Sequence, residues 1–213
     1  MNDSMVWDAD DFGVNHIISD VCQSHDCRDK LDEFHYLNPN FKATLFAIPG
    51  EMTYELAKWC KENNSWIELA VHGILHSSNY ECEKMTYEEF DNALRPLQPM
   101  LDTYFVKGFK APGWQISNDI YKWLDNHGWW IADQGYNNSR RPHKIPTYIN
   151  YDGKFEAHID ENHHEDIDGK HYHTWNVGAV GNAPNGVYEA SEEIKQTIQG
   201  VHEFKFISEV LAV

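Results

Sequence analysis

The chain has 213 residues, 34 acidic against 17 basic side chains, and a formal net charge of −17. Its length suits one well-buried core and is short for two, so a single domain over residues 1–213 is expected. Such an acidic excess excludes the sequence-independent grip on phosphates that nucleic-acid binding requires, and it disfavours an anionic membrane surface.

In chain order, residues 5–10 read as a buried strand that stops at Asp10-Asp11. Residues 14–34 read as a helical excursion with polar interruptions. A second strand covers 41–48 and ends at Pro49-Gly50; Thr53 then caps a helix running towards Asn63. Residues 66–71 form a third strand, leading into His72-Gly73-Ile74-Leu75-His76. Thr86 opens a helix with an acidic first turn that continues to about Phe105, bent at Pro96 or Pro99. A strand at 108–110 breaks at Pro112-Gly113, and Ser117 caps a helix that ends at Gly128. Residues 129–133 are strand again, 134–168 are less regular, and 171–177 are a further strand candidate. A helix at 190–199 and a strand at 203–208 close the chain. This repeated alternation predicts βα units around a parallel sheet or barrel.

Cys22, Cys27, Cys60 and Cys82 show no C-x-x-C spacing and read as reduced, mostly buried thiols. No apolar run approaches the roughly 18–20 residues that span a bilayer. The first residues lack a basic and an apolar leader region, so a cytoplasmic location is expected.

Four elements carry chemistry. Asp10-Asp11 supplies two carboxylates at a strand end, and neighbouring side chains of an extended strand are expected to point to opposite sides, one towards a metal and one towards water. His72 and His76, four apart, place two imidazoles on one side of a helical turn. One carboxylate with two imidazoles is a common ligand set for a catalytic divalent metal: zinc suits it, as do cobalt, nickel and iron. At the third element, Lys110 can orient a carboxylate and Pro112-Gly113 can present a backbone N–H to an oxyanion. At the fourth, His171-Tyr172-His173 puts two imidazoles on one strand face, one to act as general acid while the other packs or ligates.

In this order the four elements resemble the polysaccharide deacetylase family (NodB-homology domain, carbohydrate esterase type). The family's Asp-Asp-Gly is met by Asp10-Asp11-Phe12-Gly13, with one extra residue, and its His-Ser/Thr-x-x-His by His72 to His76 with Gly73 in the hydroxyl position. Its Arg-x-Pro-Tyr stands against Lys110-Ala111-Pro112-Gly113, and its Leu-x-His is met by His171-Tyr172-His173 at the last residue. The likeness runs from about residue 4 to 208 and, with these departures, marks a divergent member. It implies a distorted (β/α) barrel of about seven parallel strands with outer helices. By the same resemblance Asp11, His72 and His76 are metal ligands, Asp10 is the general base and His173 the general acid. The Gly113 N–H helps to hold the oxyanion, and Lys110 stands where an arginine steadies the base. Asp133 is expected to be a strand-end carboxylate rather than a partner of Lys110.

The expected activity is metal-dependent removal of N-acetyl groups from an acetylated amino sugar. Hydrolysis of another non-peptide C–N bond and an inactive carbohydrate-binding metalloprotein are the alternatives. Trp114 and Trp175, close to the motifs, are candidate sugar-stacking platforms, whereas Trp129 and Trp130 read as core. The lack of a leader points to a small intracellular sugar or to a polymer met by another route, such as a viral one. Residues 156–165 are dense in ligand-competent side chains and read as a solvated acidic loop, with a second metal site as the alternative reading.

Overall fold

Runs rich in Val, Ile, Phe and Trp become strands because branched and aromatic side chains pack well on a pleated surface covered on both faces. The computed structural model describes residues 4–19, 22–151, 154–160, 163–177 and 191–213. Strand β1 (Ser4–Phe12) is followed by a small hairpin, β2 (His16–Ser19) and β3 (Cys22–Ser24), and then by β4 (Ala43–Ala47), β5 (Ile67–His72) and β6 (Gly108–Lys110). Next come β7 (Trp130–Gln134), β8 (Thr147–Tyr151), β9 (Lys154–Asp160), β10 (His163–His173) and β11 (Glu203–Lys205). The order β1-β4-β5-β6-β7-β8-β9-β10 closes through a β10–β1 pairing into an eight-stranded barrel, and β11 adds beside the start of β1.

Seven barrel strands are parallel, as expected; β9 alone runs against its neighbours β8 and β10. That reversed strand is a correction to the reading of 134–168 as irregular, since β8, β9 and part of β10 lie there. The hairpin β2/β3 likewise replaces the first part of the helix expected over 14–34. Among the described residues of that stretch only α1 (Arg28–Leu37) is helical.

The other helices are α2 (Tyr54–Glu62), α3 (Tyr87–Leu94), α4 (Gln98–Tyr104), α5 (Asn118–His127), α6 (Thr174–Val177), α7 (Ser191–Gln199) and α8 (Ile207–Leu211). Thr53 and Ser117 cap α2 and α5 by accepting from the amides of Leu56 and Ile120, and Thr86 forms a reciprocal capping box with Glu89. The bend expected near Pro96 or Pro99 is a 3₁₀ turn over Arg95–Leu97 that separates α3 from α4. The strand expected over 171–177 stops at His173, where α6 begins, and the one over 203–208 gives way to α8.

Alternation sorts the side chains. Trp7, Leu45 and Leu69 face outward into a core shared with Leu31, Phe34 and Leu56 of α1 and α2. Val6, Phe46, Ala70, Trp130 and Phe155 face inward, and Ile207, Val210 and Leu211 of α8 join them to plug the lower end of the barrel. Glu68 anchors that plug by accepting hydrogen bonds from the hydroxyls of Thr44 and Ser208. Cys27, Cys60 and Cys82 are free, buried thiols; the side chain of Cys22 lies outside the described residues. Among the described residues no helix is long and apolar enough to cross a membrane.

Gly108 is the register partner of Trp130, and a Cβ on it would stand 2.1 Å from the indole Cζ2. Gly108→Ala must therefore displace a ring locked in the barrel interior. We expect a loss of about 1–3 kcal/mol by overpacking, measured as a lowered urea midpoint at unchanged slope. An unchanged midpoint would show that the indole has room to move.

Candidate functional site

The upper mouth of the barrel is built from strand ends. Asp8 and Asp10 both face inward by the two-residue period of β1. At Asp11 the backbone enters the left-handed region (φ 67°), and the β1–β4 register shifts between Ala9 and Phe12. Aspartate tolerates this conformation better than most residues. The turn corrects the expectation of opposed side chains, because Asp10 and Asp11 line the same cavity of about 380 Å³.

His72 ends β5 and also faces inward. The segment to His76 is a loop rather than the helical turn its spacing suggests, with Gly73 at φ 62° and His76 at φ 48°. Its shape is fixed by Glu81, whose carboxylate accepts from the amides of Ile74, Leu75 and His76 at 3.1, 2.9 and 2.9 Å. Nothing in the local sequence pattern singles out Glu81, so this support was missed. The His72 Nδ1 lies 3.1 Å from the Lys110 carbonyl; donating there leaves the Nε2 lone pair aimed into the site.

Asp11 Oδ1 lies 3.5 Å from the Nε2 atoms of both His72 and His76. Donors about 2.0–2.2 Å from a tetrahedral ion stand roughly 3.3–3.6 Å apart, so the triad fits a divalent metal. Trp175 steadies it by donating its indole N–H to Asp11 Oδ2 at 3.1 Å, and the Thr174 hydroxyl donates to the Asp11 carbonyl at 2.8 Å. Charge fits as well. Asp8, Asp10 and Asp11 are buried with one ammonium, Lys110, so the formal count is two negative charges in excess, which a dication balances.

Lys110, at the end of β6, reaches Asp10 Oδ1 at 2.8 Å and Asp8 Oδ1 at 3.2 Å while lying over the rings of Trp114 and Phe46. Burial alone would lift the Asp10 carboxyl, but Lys110, followed by His72, His171 and His173, outweighs it and holds the group well below the usual carboxylate range. Asp8 was not singled out from the sequence, although alternation with Asp10 was a usable signal. It also receives His171 Nδ1 at 2.6 Å, and His171 Nε2 lies 3.6 Å from Asp10 Oδ2. His173 is the register partner of Asp10, lines the cavity and packs its ring 4.9 Å from that of Trp175. Burial lowers its basicity, partly opposed by Asp11 and Asp10.

Gly113 lines the cavity in the left-handed region (φ 55°), and a Cβ there would meet the Asn79 carbonyl oxygen at 2.7 Å. Trp114 and Trp175 also line the cavity. Asp133 is apart from Lys110: the Tyr121 hydroxyl and Asn137 amide donate to it at 2.5 and 2.7 Å, and Arg141 lies at 3.3 Å. It is a structural carboxylate, as expected.

No protein-family model matches the chain, and no curated protein matches it in sequence. Solved structures do match. The chitin deacetylase of Colletotrichum lindemuthianum superposes with a TM-score of 0.56 at 11% identity, covering 97% of this chain and 86% of that one. A family 4 acetyl xylan esterase from Clostridium thermocellum, in complex with cobalt, gives 0.50 at 16%, covering 98% and 90%. A CE4 family pseudoenzyme from Bacillus anthracis gives 0.52 at 13%, covering 98% and 65%. The fold is therefore that of the CE4 polysaccharide deacetylases.

Burial pushes His72 down to about 4 in the metal-free chain. A depressed histidine binds fewer protons folded than unfolded, so its effect destabilises the fold as pH falls from about 6.5 towards 4. Asp10 acts in the same direction below about pH 4. The urea midpoint of the chelator-treated protein should fall between pH 7 and 4.5, with His72 contributing about 2–3 kcal/mol, and the fall should be shallower in His72→Asn. A midpoint rising towards acid would contradict this electrostatic picture.

Proposed function

We propose that this chain, with its CE4 barrel, is a divergent metal-dependent deacetylase that removes N-acetyl groups from an acetylated amino sugar. The observation that carries the reading is the shared cavity. Asp11, His72 and His76 converge on one point, while Asp10 and His173 enter from adjacent strands and stand beside each other in register. A divalent ion held by that triad would supply a Lewis acid for the acyl oxygen and lower the pKa of a water. Zinc suits the donors, and cobalt, nickel or iron are alternatives, a choice consistent with the cobalt in the xylan esterase.

Asp10 is the general base. Lys110 keeps it ionised and fixes its rotamer, so its second oxygen is available for the proton of the attacking water. Lysine does this as a point charge, where an arginine would use a planar fork. His173 is the general acid that protonates the departing amine. His171 is the less suitable of the two, because its Nδ1 is held by Asp8 and its Nε2 faces the base. The Gly113 N–H is the oxyanion donor. Trp114 and Trp175 are the sugar-stacking candidates, and each also serves the site, Trp114 by packing against Lys110 and Trp175 by holding Asp11.

Acetate release from acetylated monosaccharides, oligomers and polymers tests the substrate class. Asp10→Asn should lower turnover at least 10²-fold while retaining metal, and Asp11→Ala should lose both. Metal retained with no acetate from any substrate would favour the inactive carbohydrate-binding reading; turnover confined to small cyclic amides or imides would favour the other C–N hydrolase.

A base that must be ionised and an acid that must be protonated also require a bell-shaped dependence of kcat/KM on pH. With Asp10 ionised throughout that range, a flat profile between about pH 5 and 9 would remove His173 from the role of acid.

A further inference from the structure

A second group of ligand-competent side chains stands at the opposite end of the barrel. β9 and β10 pair antiparallel with His158 opposite His164 and Glu156 opposite Asp166. Phe155 and Ala157 point into the core, so Glu156 and His158 alternate to the outer face. His164 lies near the start of β10 and His173 ends it, so about 30 Å of strand separates this cluster from the cavity. Residues 156–165 are thus largely a strand pair, in place of the solvated loop expected from their composition.

His158 Nε2 is 3.2 Å from Glu156 Oε2 and 3.2 Å from His164 Nδ1. The two imidazole rings are 4.0 Å apart and nearly perpendicular, and the three donor atoms all lie within 4.8 Å of one another. One imidazole nitrogen carries at most one proton. If Nε2 is protonated, its one proton can point at Glu156 or at a bare His164 Nδ1 but not squarely at both. If it is bare, it accepts from His164 and turns a lone pair towards the carboxylate. A cation among the three donors relieves this conflict, and the 3.2 Å edges match a tetrahedron with bonds of about 2.0 Å.

We propose that Glu156, His158 and His164 form a second divalent-metal site, suited to zinc, that ties β9 to β10 on the outer face of the barrel. Two nitrogens and a carboxylate oxygen select borderline ions such as Zn²⁺ over Mg²⁺ or Ca²⁺. His164 is exposed, so the ion enters from solvent and water completes its shell. The site is independent of Asp11, His72 and His76, and it stands or falls separately from the deacetylase reading.

Equilibrium dialysis of the metal-free full chain against Zn²⁺, followed by elemental analysis, reads the stoichiometry. The expected result is two equivalents for the native sequence, one for His164→Ala, one for Asp11→Ala and none for the double variant. Because His164 is exposed, its loss should leave the circular dichroism spectrum unchanged. As a second reading, Glu156→Gln should weaken the outer site at least 10-fold while retaining the inner equivalent. If His164→Ala binds as many equivalents as the native chain, the cluster is a hydrogen-bonded trio only and the proposal is overturned.

Discussion

The closing pair β1–β10 is the constraint on which the site depends. It joins segments more than 150 residues apart and sets Asp8 against His171 and Asp10 against His173 in one parallel register. Lys110 arrives on β6, across the barrel, and spans the interior to reach both aspartates. A buried ammonium between Phe46 and Trp114 is costly unless carboxylates meet it, so barrel closure and charge neutralisation are one event. With closure undone, Asp8 and Asp10 lose the imidazoles of His171 and His173, and Asp10 loses part of the positive surroundings that hold its carboxyl low.

The barrel interior divides its labour along its axis. At the lower end, α8 and the ring of Trp130 fill the space with apolar volume, and Glu68 spends its charge on two hydroxyls. At the upper end the same inward positions carry Asp8, Asp10, His72, Lys110 and His171. Strand backbone held on both sides positions these groups more tightly than a free loop can. The one loop that supplies a candidate ligand, around His76, is braced by the triple acceptance of Glu81.

Much of this was legible in the sequence, for physical reasons that can be named. The caps at Thr53, Thr86 and Ser117 act over three residues, so local pattern suffices. Strands ending abruptly in Asp10-Asp11, His72 and Lys110 announced a site because polar groups at buried strand ends need a purpose. Other features depend on distant contacts. β8 shows no clean alternation, whereas Phe155 to Ile159 of β9 do alternate with polar residues, a strand signal masked by the density of ligand-competent side chains around it. The hairpin β2/β3 is short, and its residues resemble an interrupted helix in composition. Asp8 was visible by alternation yet masked by its more conspicuous neighbours. The outer histidine pair emerged only once the β9–β10 register brought His158 beside His164.

The left-handed backbone at Asp11 narrows the chemical alphabet of that position. Glycine would accept the dihedral but brings no ligand. Glutamate would bring an oxygen, but its added methylene moves the carboxylate and it is less at ease with φ above zero. Asparagine shares the backbone tolerance and lacks the charge. Conformation and coordination thus intersect on a single residue type. Drift at Asp11 has no neutral path: each one-step replacement surrenders either the turn that turns two neighbouring carboxylates to one side or the anion that the turn exists to present.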